Sequence, residues 1–209
     1  RGCPYTCQFC HEAQTYYSKV YAMSYERVID EINYIRNAGN TYPFLNILDS
    51  NFGLFKRDIN ILRYLVDMRR KTGWPIQLYS SSPKSPTKEF VVAMLESDGM
   101  VRICLVFQSM NKETLEIVKR LEPSAYLQKV FKEQMASSVY EYASESTLII
   151  PMPEETFESY LLAMRRTIDE FQASEGTVYT LINLWGTPFE DEAFQKKYGM
   201  VTKYRFSEA

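Results

Sequence analysis

Three cysteines lie within the first ten residues of this 209-residue chain, at Cys3, Cys7 and Cys10, in the spacing C-x3-C-x2-C. Three thiolates on one short loop can each bind one iron of a [4Fe-4S] cluster, and no fourth cysteine follows nearby. The fourth iron would then keep an open coordination position, which is a site for chemistry. The spacing therefore predicts an iron–sulfur cluster that can bind a further ligand.

Two other interpretations of these cysteines are weighed against that one. Zinc loops usually combine a C-x2-C pair with a second Cys/His pair farther along, whereas the remaining cysteine here is Cys104 and the one histidine is His11. Zinc is therefore the weaker interpretation. The other alternative is a non-catalytic protein whose iron–sulfur cluster transfers electrons or braces a loop, and the sequence leaves it open.

The cysteine loop resembles the signature of radical S-adenosylmethionine enzymes, in which an aromatic residue precedes the last cysteine, as Phe9 does here. The resemblance implies that Cys3, Cys7 and Cys10 hold a [4Fe-4S] cluster whose open iron chelates S-adenosylmethionine. It also implies reductive cleavage of that cofactor to a 5′-deoxyadenosyl radical, with an electron donor such as flavodoxin or ferredoxin. The lead-in Arg1-Gly2-Cys3-Pro4 is similar to the branch whose members often carry an upstream cobalamin domain, so cobalamin-dependent methylation of an unidentified substrate is one expected reaction.

Length and charge narrow the class of protein further. With 209 residues and 45% hydrophobic content, the chain is expected to form one domain over residues 1–209. A net charge of −2 gives no electrostatic footprint for nucleic acid or an anionic membrane, and no apolar run approaches the ~20 residues that span a bilayer. Clustered thiolates favour a reducing compartment, which predicts the cytoplasm. Because the cluster loop begins at residue 1, a first strand and any upstream domain are expected to lie outside this fragment.

The apolar spacing predicts alternating strands and helices. Strands are predicted at residues 44–48, 76–79, 100–107, 147–150 and 177–184. Helices are predicted at residues 24–39, 56–72 and 87–95. Asn111 is predicted to cap the next helix, a further amphipathic segment is predicted at 124–135, and the last helix is predicted to run from Phe157 to a stop at Gly176. The strand centres lie about 25 to 45 residues apart, the length of a βα unit. The expected fold is therefore α/β, a partial (β/α) barrel of parallel strands that lacks its first strand.

Polar residues follow the predicted strands, and ligands bind at the carboxyl ends of such strands. The resemblance implies that the turn Asp49-Ser50-Asn51 takes the amino group of S-adenosylmethionine, since the cobalamin-associated branch has a similar turn. It places Ser80 near a position that contacts the ribose hydroxyls. It also matches Gln108 and Arg120 to a pair that binds the ribose and the carboxylate, and both side chains suit those partners chemically.

One loop departs from the family pattern. Residues 151–156 read Pro-Met-Pro-Glu-Glu-Thr where the family tends to have Gly-Leu-Pro-Gly-Glu-Thr. Losing both glycines removes the easiest way for the backbone to approach a ligand closely. Glu154 and Glu155 are expected to serve the dipole of the following helix rather than act as an acid/base pair.

The remaining notable residues are expected to be structural. Cys104 is predicted to be a small buried core residue, and Trp74 and Trp185 are predicted to pack beside strands. His11 is expected either to contact the cluster or to lie at the surface. The last long helix is predicted to turn one apolar face inward, formed by Phe157, Tyr160, Leu161, Met164, Ile168 and Phe171.

Overall fold

The computed structural model describes residues 2–39, 42–102, 104–136 and 145–204, so Arg1 and Ile103 lie outside the described residues, as does the side chain of Met135. The strands are β1 Phe44–Ile47, β2 Gln77–Ser80, β3 Cys104–Gln108, β4 Glu145–Ile150 and β5 Glu175–Thr180. The α-helices are α1 Tyr25–Asn37, α2 Lys56–Thr72, α3 Lys88–Leu95, α4 Lys112–Ile117, α5 Ala125–Ala136, α6 Phe157–Arg165 and α7 Glu192–Lys197. Across these ranges, no helix combines the length and apolarity needed to traverse a lipid bilayer.

The strands are parallel throughout the described residues. β1 pairs with β2, and β3, β4 and β5 form a second sheet in that order. A single parallel bridge between Leu78 and Val101 links the two sheets. The five strands therefore follow one another in chain order without closing into a barrel in the part of the chain described. This arrangement confirms the predicted partial (β/α) architecture.

The helices begin and end where local chemistry predicts. Ser24, Thr87 and Asn111 each accept a hydrogen bond from a backbone N–H in the first turn of α1, α3 and α4 respectively. α2 ends at Gly73, which adopts a φ of 75° in the left-handed region that glycine reaches without steric cost. These caps set the boundaries of the segments that carry the strand-end loops.

The hydrophobic core lies between one face of the strands and the helices. Leu45, Leu78 and Leu105 point into this core from β1, β2 and β3. The helices contribute large buried residues to the same cluster, among them Leu62, Leu65, Phe90, Phe131 and Ile32. Because successive side chains of a strand point to opposite faces, the intervening strand residues lie on the face away from this core.

The predicted inward face of the last long helix is wrong in part. Phe157, Leu161 and Ile168 are exposed, whereas Ala163 and Thr167 are buried. α6 continues as a π turn, Arg166–Glu170, and the wider π turn shifts the phase of the helical face from Arg166 onward, which includes Ile168. Phe171 is nevertheless fully buried, as predicted.

One predicted strand start and one predicted helix stop also change. Among the described residues of the apolar stretch 100–107, the regular strand comprises Cys104 and the residues after it, and Val101 joins β2 through the isolated bridge. Gly176 lies within β5 and does not end the preceding helix. Glycine has no apolar side chain, so an analysis of apolar spacing does not show that it belongs to a strand.

Candidate functional site

The cysteine loop lies at the carboxyl ends of the strands. The hydroxyl of Ser50, three residues after β1, donates to the Glu12 carboxylate at 2.6 Å. At the other end of the strand series, the Gln14 amide donates to the carbonyl of Trp185, which follows β5, at 3.0 Å. These contacts hold the segment after Cys10 against the edge where parallel folds bind ligands.

Two cations surround the sulfur of Cys7, which is only 5% exposed. The Lys84 ammonium donates a hydrogen bond to this sulfur, and Arg120 Nη1 lies 3.9 Å from it. The guanidinium of Arg120 is itself held by the carbonyls of Val106 at 2.6 Å and Phe107 at 3.3 Å, at the end of β3. Burial lowers the pKa of Arg120, while the neighbouring Cys7 sulfur opposes that shift. Two positive groups at one buried sulfur suit a metal-bound thiolate, which carries negative charge.

The donor set of the loop fits an iron–sulfur cluster. Cys3, Cys7 and Cys10 all carry free thiols, and burial raises the pKa of Cys10. In the described residues, no three or more His, Cys, Asp or Glu side chains converge as ligands for one metal ion. A [4Fe-4S] cluster does not need such convergence, because each cysteine binds a different iron. Three thiols on one loop, with cations at the most buried of them, are a suitable set for that cluster.

Phe9 anchors the cysteine loop to the rest of the domain. Its ring packs against a small buried cluster formed by Val118, Met152 and Phe189. Val118 follows α4 and its carbonyl accepts from the N–H of Gln8 at 3.0 Å. The aromatic residue before the last cysteine therefore serves as a hydrophobic support for the cysteine loop.

A cavity of about 550 Å³ lies along the strand face opposite the hydrophobic core. We call it the strand-face cavity, and its lining includes Glu12, Asn46, Asp49, Ser50, Tyr79, Ser80, Arg102, Cys104 and Glu145. It thus contains two of the sequence-predicted ligands, Asp49 and Ser80, beside the cysteine loop. A cleft of this size and mixed polarity is typical of a small-molecule site.

Cys104 lines the strand-face cavity and is not a core residue, contrary to the prediction from sequence. The neighbouring Leu105 occupies the core instead. Burial raises the pKa of Cys104 to about 11, with a further contribution from the Glu145 carboxylate. The apolar neighbours of Cys104 in the sequence indicated a strand, but they did not indicate which face the thiol occupies.

Asn51 and Gln108 each have a buried polar atom without a partner. Asn51 is 5% exposed, and its side-chain Nδ2 has no acceptor, although its backbone N–H donates to Asp49 Oδ1 at 2.9 Å. Gln108 Oε1 has no donor, and the residue adopts a φ of 68°. Each orphaned group costs about 1–3 kcal/mol unless a ligand satisfies it, and backbone strain of this kind clusters at ligand sites. Neither residue belongs to the described lining of the strand-face cavity.

The loop at residues 151–155 is braced against α4. The Ser109 hydroxyl donates to Glu155 Oε2 at 2.6 Å, and the Ser159 hydroxyl donates to Glu155 Oε1 at 3.0 Å. Glu154 adopts a φ of 58°, and its carbonyl accepts from the Asn111 side chain at 3.1 Å. Both glutamates precede Thr156, the N-cap of α6, so neither lies in the first turn of that helix, where an acidic residue expected to serve its dipole would stand. Glu155 is a hydrogen-bond acceptor that holds two segments together.

A second cavity, of about 700 Å³, borders the other flank of the cysteine loop. Its lining includes Pro4, Tyr5 and Thr6, which lie between Cys3 and Cys7, together with Lys84, Lys112, Lys119, Arg120, Leu121, Glu116 and Glu122. We call it the basic cavity, because four cations face two carboxylates among its described lining residues. The Lys84 ammonium lies 4.4 Å from the centre of the Tyr5 ring, a cation–π contact. None of these residues also lines the described wall of the strand-face cavity.

Sequence analysis missed two neighbours of the cysteine loop, Lys84 and Glu12. Lys84 is the first cation after β2, and a basic residue in a strand-end loop was a signal that could have suggested a contact. Glu12 comes two residues after Cys10, so its proximity to the loop was visible in the sequence. Its partner Ser50 was not, since the two residues are separated by 38 positions.

Of the two tryptophans that were predicted to pack beside strands, one is buried and one is exposed. Trp74 is buried, and its indole N–H donates to the carbonyl of Tyr42 at 2.9 Å, as its predicted packing role requires. Trp185 is 78% exposed, so the same prediction is wrong there. His11 Nδ1 lies 3.0 Å from Gln14 Nε2 and 3.4 Å from the Trp185 carbonyl, and these contacts orient the segment after Cys10.

Comparison with known proteins supplies independent information. The sequence matches the Radical SAM superfamily over residues 1–193. It is 27% identical over 206 residues to the cobalamin-dependent radical SAM methyltransferase TokK of Streptomyces tokunonensis, a match that covers 97% of this chain and 30% of that protein. It is 25% identical over 205 residues to the 2-(S-pantetheinyl)-carbapenam-3-carboxylate methyltransferase of Streptantibioticus cattleyicolor, with the same two coverages. The chain therefore spans less than a third of the length of either relative.

Proposed function

Because the chain belongs to the Radical SAM superfamily, we propose that it is the catalytic core of a methyltransferase that cleaves S-adenosylmethionine reductively. Two methyltransferases, one of them named as cobalamin-dependent, match 97% of the chain, and they support the reaction class. Their particular substrates are not carried over, because the identities are 27% and 25%. Specificity depends on individual pocket contacts, which diverge at such identities.

The observation that carries this proposal is the position of the cysteine loop beside polar strand ends. Cys3, Cys7 and Cys10 would hold a [4Fe-4S] cluster, with Lys84 and Arg120 balancing the charge of the buried Cys7 sulfur. When bound, the cluster supplies an electron and an open iron for S-adenosylmethionine. Phe9 keeps the loop rigid by packing against buried residues, so the three thiols keep their relative positions.

Five residues are proposed to hold S-adenosylmethionine against the open iron. The Asp49 carboxylate can accept from the amino group of the methionine moiety, and the side-chain N–H of Asn51, which lacks an acceptor, can donate to the carboxylate of the same moiety. Gln108 and Ser80 can bond the ribose hydroxyls, and Gln108 Oε1 has the free lone pairs to do so. Arg120, fixed by two strand-end carbonyls next to Cys7, can donate to the cofactor carboxylate.

The strand-face cavity is the proposed place for the substrate. Glu12, Asp49 and Ser80 lie at its cofactor end, and Arg102, Cys104 and Glu145 offer polar groups deeper along the strands. We propose that cobalamin carries the methyl group and is bound by a domain outside this chain, a suggestion that rests on the name of one relative. We place the reaction in the cytoplasm, where three ligand thiols remain reduced.

The test is S-adenosylmethionine cleavage by the reconstituted protein under anaerobic conditions. Reduction with dithionite should produce 5′-deoxyadenosine and methionine, and omission of the reductant should abolish both products. Addition of S-adenosylmethionine should also change the EPR signal of the reduced cluster, because the cofactor binds the open iron. A reducible [4Fe-4S] signal with neither product nor spectral change would contradict the proposal and favour a non-catalytic electron carrier.

A further inference from the structure

We propose that Glu155 is a positioning residue for the cofactor, because its carboxylate holds the end of β3 in the conformation that presents Gln108 to S-adenosylmethionine. This inference rests on the proposed function, in which the Gln108 amide bonds the ribose hydroxyls. Glu155 lies in the loop before α6 and is not among the described lining residues of either the strand-face cavity or the basic cavity. Its effect on the cofactor is therefore exerted through Gln108.

The end of β3 is irregular where Gln108 lies. From Leu105 to Gln108 this strand advances three residues, while β4 advances two, from Ser146 to Leu148, so β3 contains a bulge. Gln108 adopts a φ of 68°, in the left-handed region that residues with a Cβ atom rarely occupy. Bulges near functional sites change the direction in which a side chain points. The direction of the Gln108 amide thus depends on a backbone conformation that its surroundings must maintain.

Two ionisable side chains hold this bulge, one on each side of Gln108. Arg120 donates to the carbonyls of the two preceding residues, at 2.6 and 3.3 Å, and its Nη1 lies 3.9 Å from the Cys7 sulfur. Ser109, the next residue, is 2% exposed, and its hydroxyl donates to Glu155 Oε2 at 2.6 Å. Gln108 is thereby fixed between a contact that leads to the cysteine loop and one that leads to α6.

The Glu155 carboxylate is itself anchored. Its Oε1 accepts from the hydroxyl of Ser159, in the first turn of α6, at 3.0 Å. The loop before it is fastened to α4, since the buried Thr114 hydroxyl donates to the Pro153 carbonyl at 2.8 Å. An acceptor fixed in this way can hold the buried hydroxyl of Ser109 in one place.

The protein leaves part of the Gln108 amide unused. Its Nε2 donates to Thr147 Oγ1 at 3.4 Å, whereas its buried Oε1 has no donor among the described residues. A ribose hydroxyl would supply that donor. Without Glu155 the Ser109 hydroxyl loses its acceptor, and Gln108 is free to return to a more common φ. That change would turn the amide away from the ribose.

The experiment is a double-mutant cycle in the reconstituted protein. Glu155→Ala, Gln108→Ala and the double variant are compared with wild type by titration of the EPR signal of the reduced cluster with S-adenosylmethionine. Glu155→Gln keeps an acceptor oxygen for Ser109, and Glu158→Ala, at an exposed position in the first turn of α6, is the matched control. Iron content and circular dichroism check folding. Amide hydrogen exchange of residues 105–111 without S-adenosylmethionine gives a readout that does not depend on the cofactor.

We expect Glu155→Ala and Gln108→Ala each to weaken S-adenosylmethionine binding about tenfold, the loss of about one hydrogen bond. The double variant should also bind about tenfold more weakly than wild type, because Glu155 acts through Gln108. Glu155→Gln should stay within about threefold of wild type, since it keeps the acceptor, and Glu158→Ala should be unchanged. Residues 105–111 should exchange faster in Glu155→Ala.

The inference is overturned if Glu155→Ala binds S-adenosylmethionine as well as wild type, even when hydrogen exchange accelerates, because the carboxylate would then only brace the fold. A double variant that binds about a hundredfold more weakly would also overturn it, since the two residues would then contribute independently. So would a Glu155→Gln variant that binds as weakly as Glu155→Ala. Each of these results in a protein whose wild type binds the cofactor contradicts this inference alone, whereas a wild type without any spectral response contradicts the proposed function as well.

Discussion

The two flanks of the cysteine loop differ in sign. The strand-face cavity has three carboxylates, Glu12, Asp49 and Glu145, against the single guanidinium of Arg102 among its described lining residues. The basic cavity reverses that balance and presents ammonium groups and Arg120 beside the same loop. The cysteine loop therefore lies between two cavities of opposite charge. The strand-face cavity suits cationic and polar groups, and the basic cavity suits anions.

The same contrast is visible at two sulfur atoms. Cys104, in the strand-face cavity, is partly buried beside Glu145, and its pKa is raised to about 11. Cys7, on the side of the basic cavity, contacts an ammonium and lies near a guanidinium. Burial, with a smaller contribution from the Glu145 carboxylate, disfavours the thiolate of Cys104, whereas the cations beside Cys7 suit a metal-bound sulfur that carries negative charge. The two residues are of the same type, so the difference in their chemistry comes from the burial and the charges around each sulfur.

The sharpest test of this contrast replaces one cysteine on each flank. Cys7→Ala should abolish cluster assembly, because the buried ligand and its paired cations are lost, while Cys104→Ala should keep about four irons and four sulfides per chain. Iron and sulfide are measured after anaerobic reconstitution. Equal iron content in the two variants would remove Cys7 from the ligand set, and zinc without sulfide in wild type would end the cluster interpretation.

The second test concerns the turn at the cofactor end of the strand-face cavity. Replacing Asp49 and Asn51 with alanine removes two charge-assisted hydrogen bonds to the methionine moiety, one to its amino group and one to its carboxylate. Each is worth about 1.5–3 kcal/mol, so S-adenosylmethionine binding should weaken by about two orders of magnitude or more. Titration of the EPR signal of the reduced cluster measures this, with iron content as the check on folding. Alanine at Asp67 and Asn60, two exposed residues of α2, provides the matched control. An unchanged midpoint in the Asp49 and Asn51 variant would exclude both residues from the site.

The third test concerns the Lys84 ammonium, which lines the basic cavity and contacts the Cys7 sulfur. Lys84→Met removes the hydrogen bond to the Cys7 sulfur, and since a cation favours the more negative reduced cluster, the midpoint potential should fall by about 60 mV, a tenfold change in the reduction equilibrium. A redox titration followed by EPR measures the shift. Lys112→Met, in the same cavity, should leave the potential nearly unchanged. A higher potential in the Lys84 variant would reverse the assigned role of this charge.

The smallest expected effect is at Cys104. With the cluster loaded, alkylation of Cys104 should be slow at pH 8 and should accelerate about tenfold per pH unit up to its pKa of about 11, because only the thiolate reacts. Glu145→Gln removes a neighbouring negative charge, which lowers the pKa and should speed alkylation about threefold, or half a pKa unit. Mass spectrometry follows the modification, with the exposed Glu113→Gln as control. Identical rates in the two variants would show that burial alone controls the thiol.

Local features of the fold could be predicted because the residues that cause them are neighbours in sequence. The caps at Ser24, Thr87 and Asn111 and the stop at Gly73 each act on the adjoining turn of helix, so a short window contains all the information needed. The parallel direction of the strands followed from the 25 to 45 residues between apolar segments, because a connection of about that length suits a βα crossover.

The wrong predictions concern which side chains of an element face the core. The apolar residues of α6 recur at helical spacing, but Ala163 and Thr167 are buried and the longer Phe157 is exposed, because the packing of the whole element decides which stripe faces the strands. Trp185 is exposed for a related reason, since its backbone carbonyl is used by the cysteine loop while its ring extends into solvent. Helical spacing of apolar residues indicates that they share one side of a helix, but it does not show which neighbouring elements bury that side.

The sequence by itself determined the superfamily, because Cys3, Cys7, Cys10 and Phe9 lie within eight residues and their spacing does not depend on any tertiary contact. Only the tertiary structure decided what surrounds the cysteine loop. Lys84 and Arg120 reach the Cys7 sulfur from positions 77 and 113 residues away, and no local pattern encodes such a meeting. Ligand spacing is a property of a short segment of backbone, whereas the sign of the charge at each flank depends on how distant strands and helices pack.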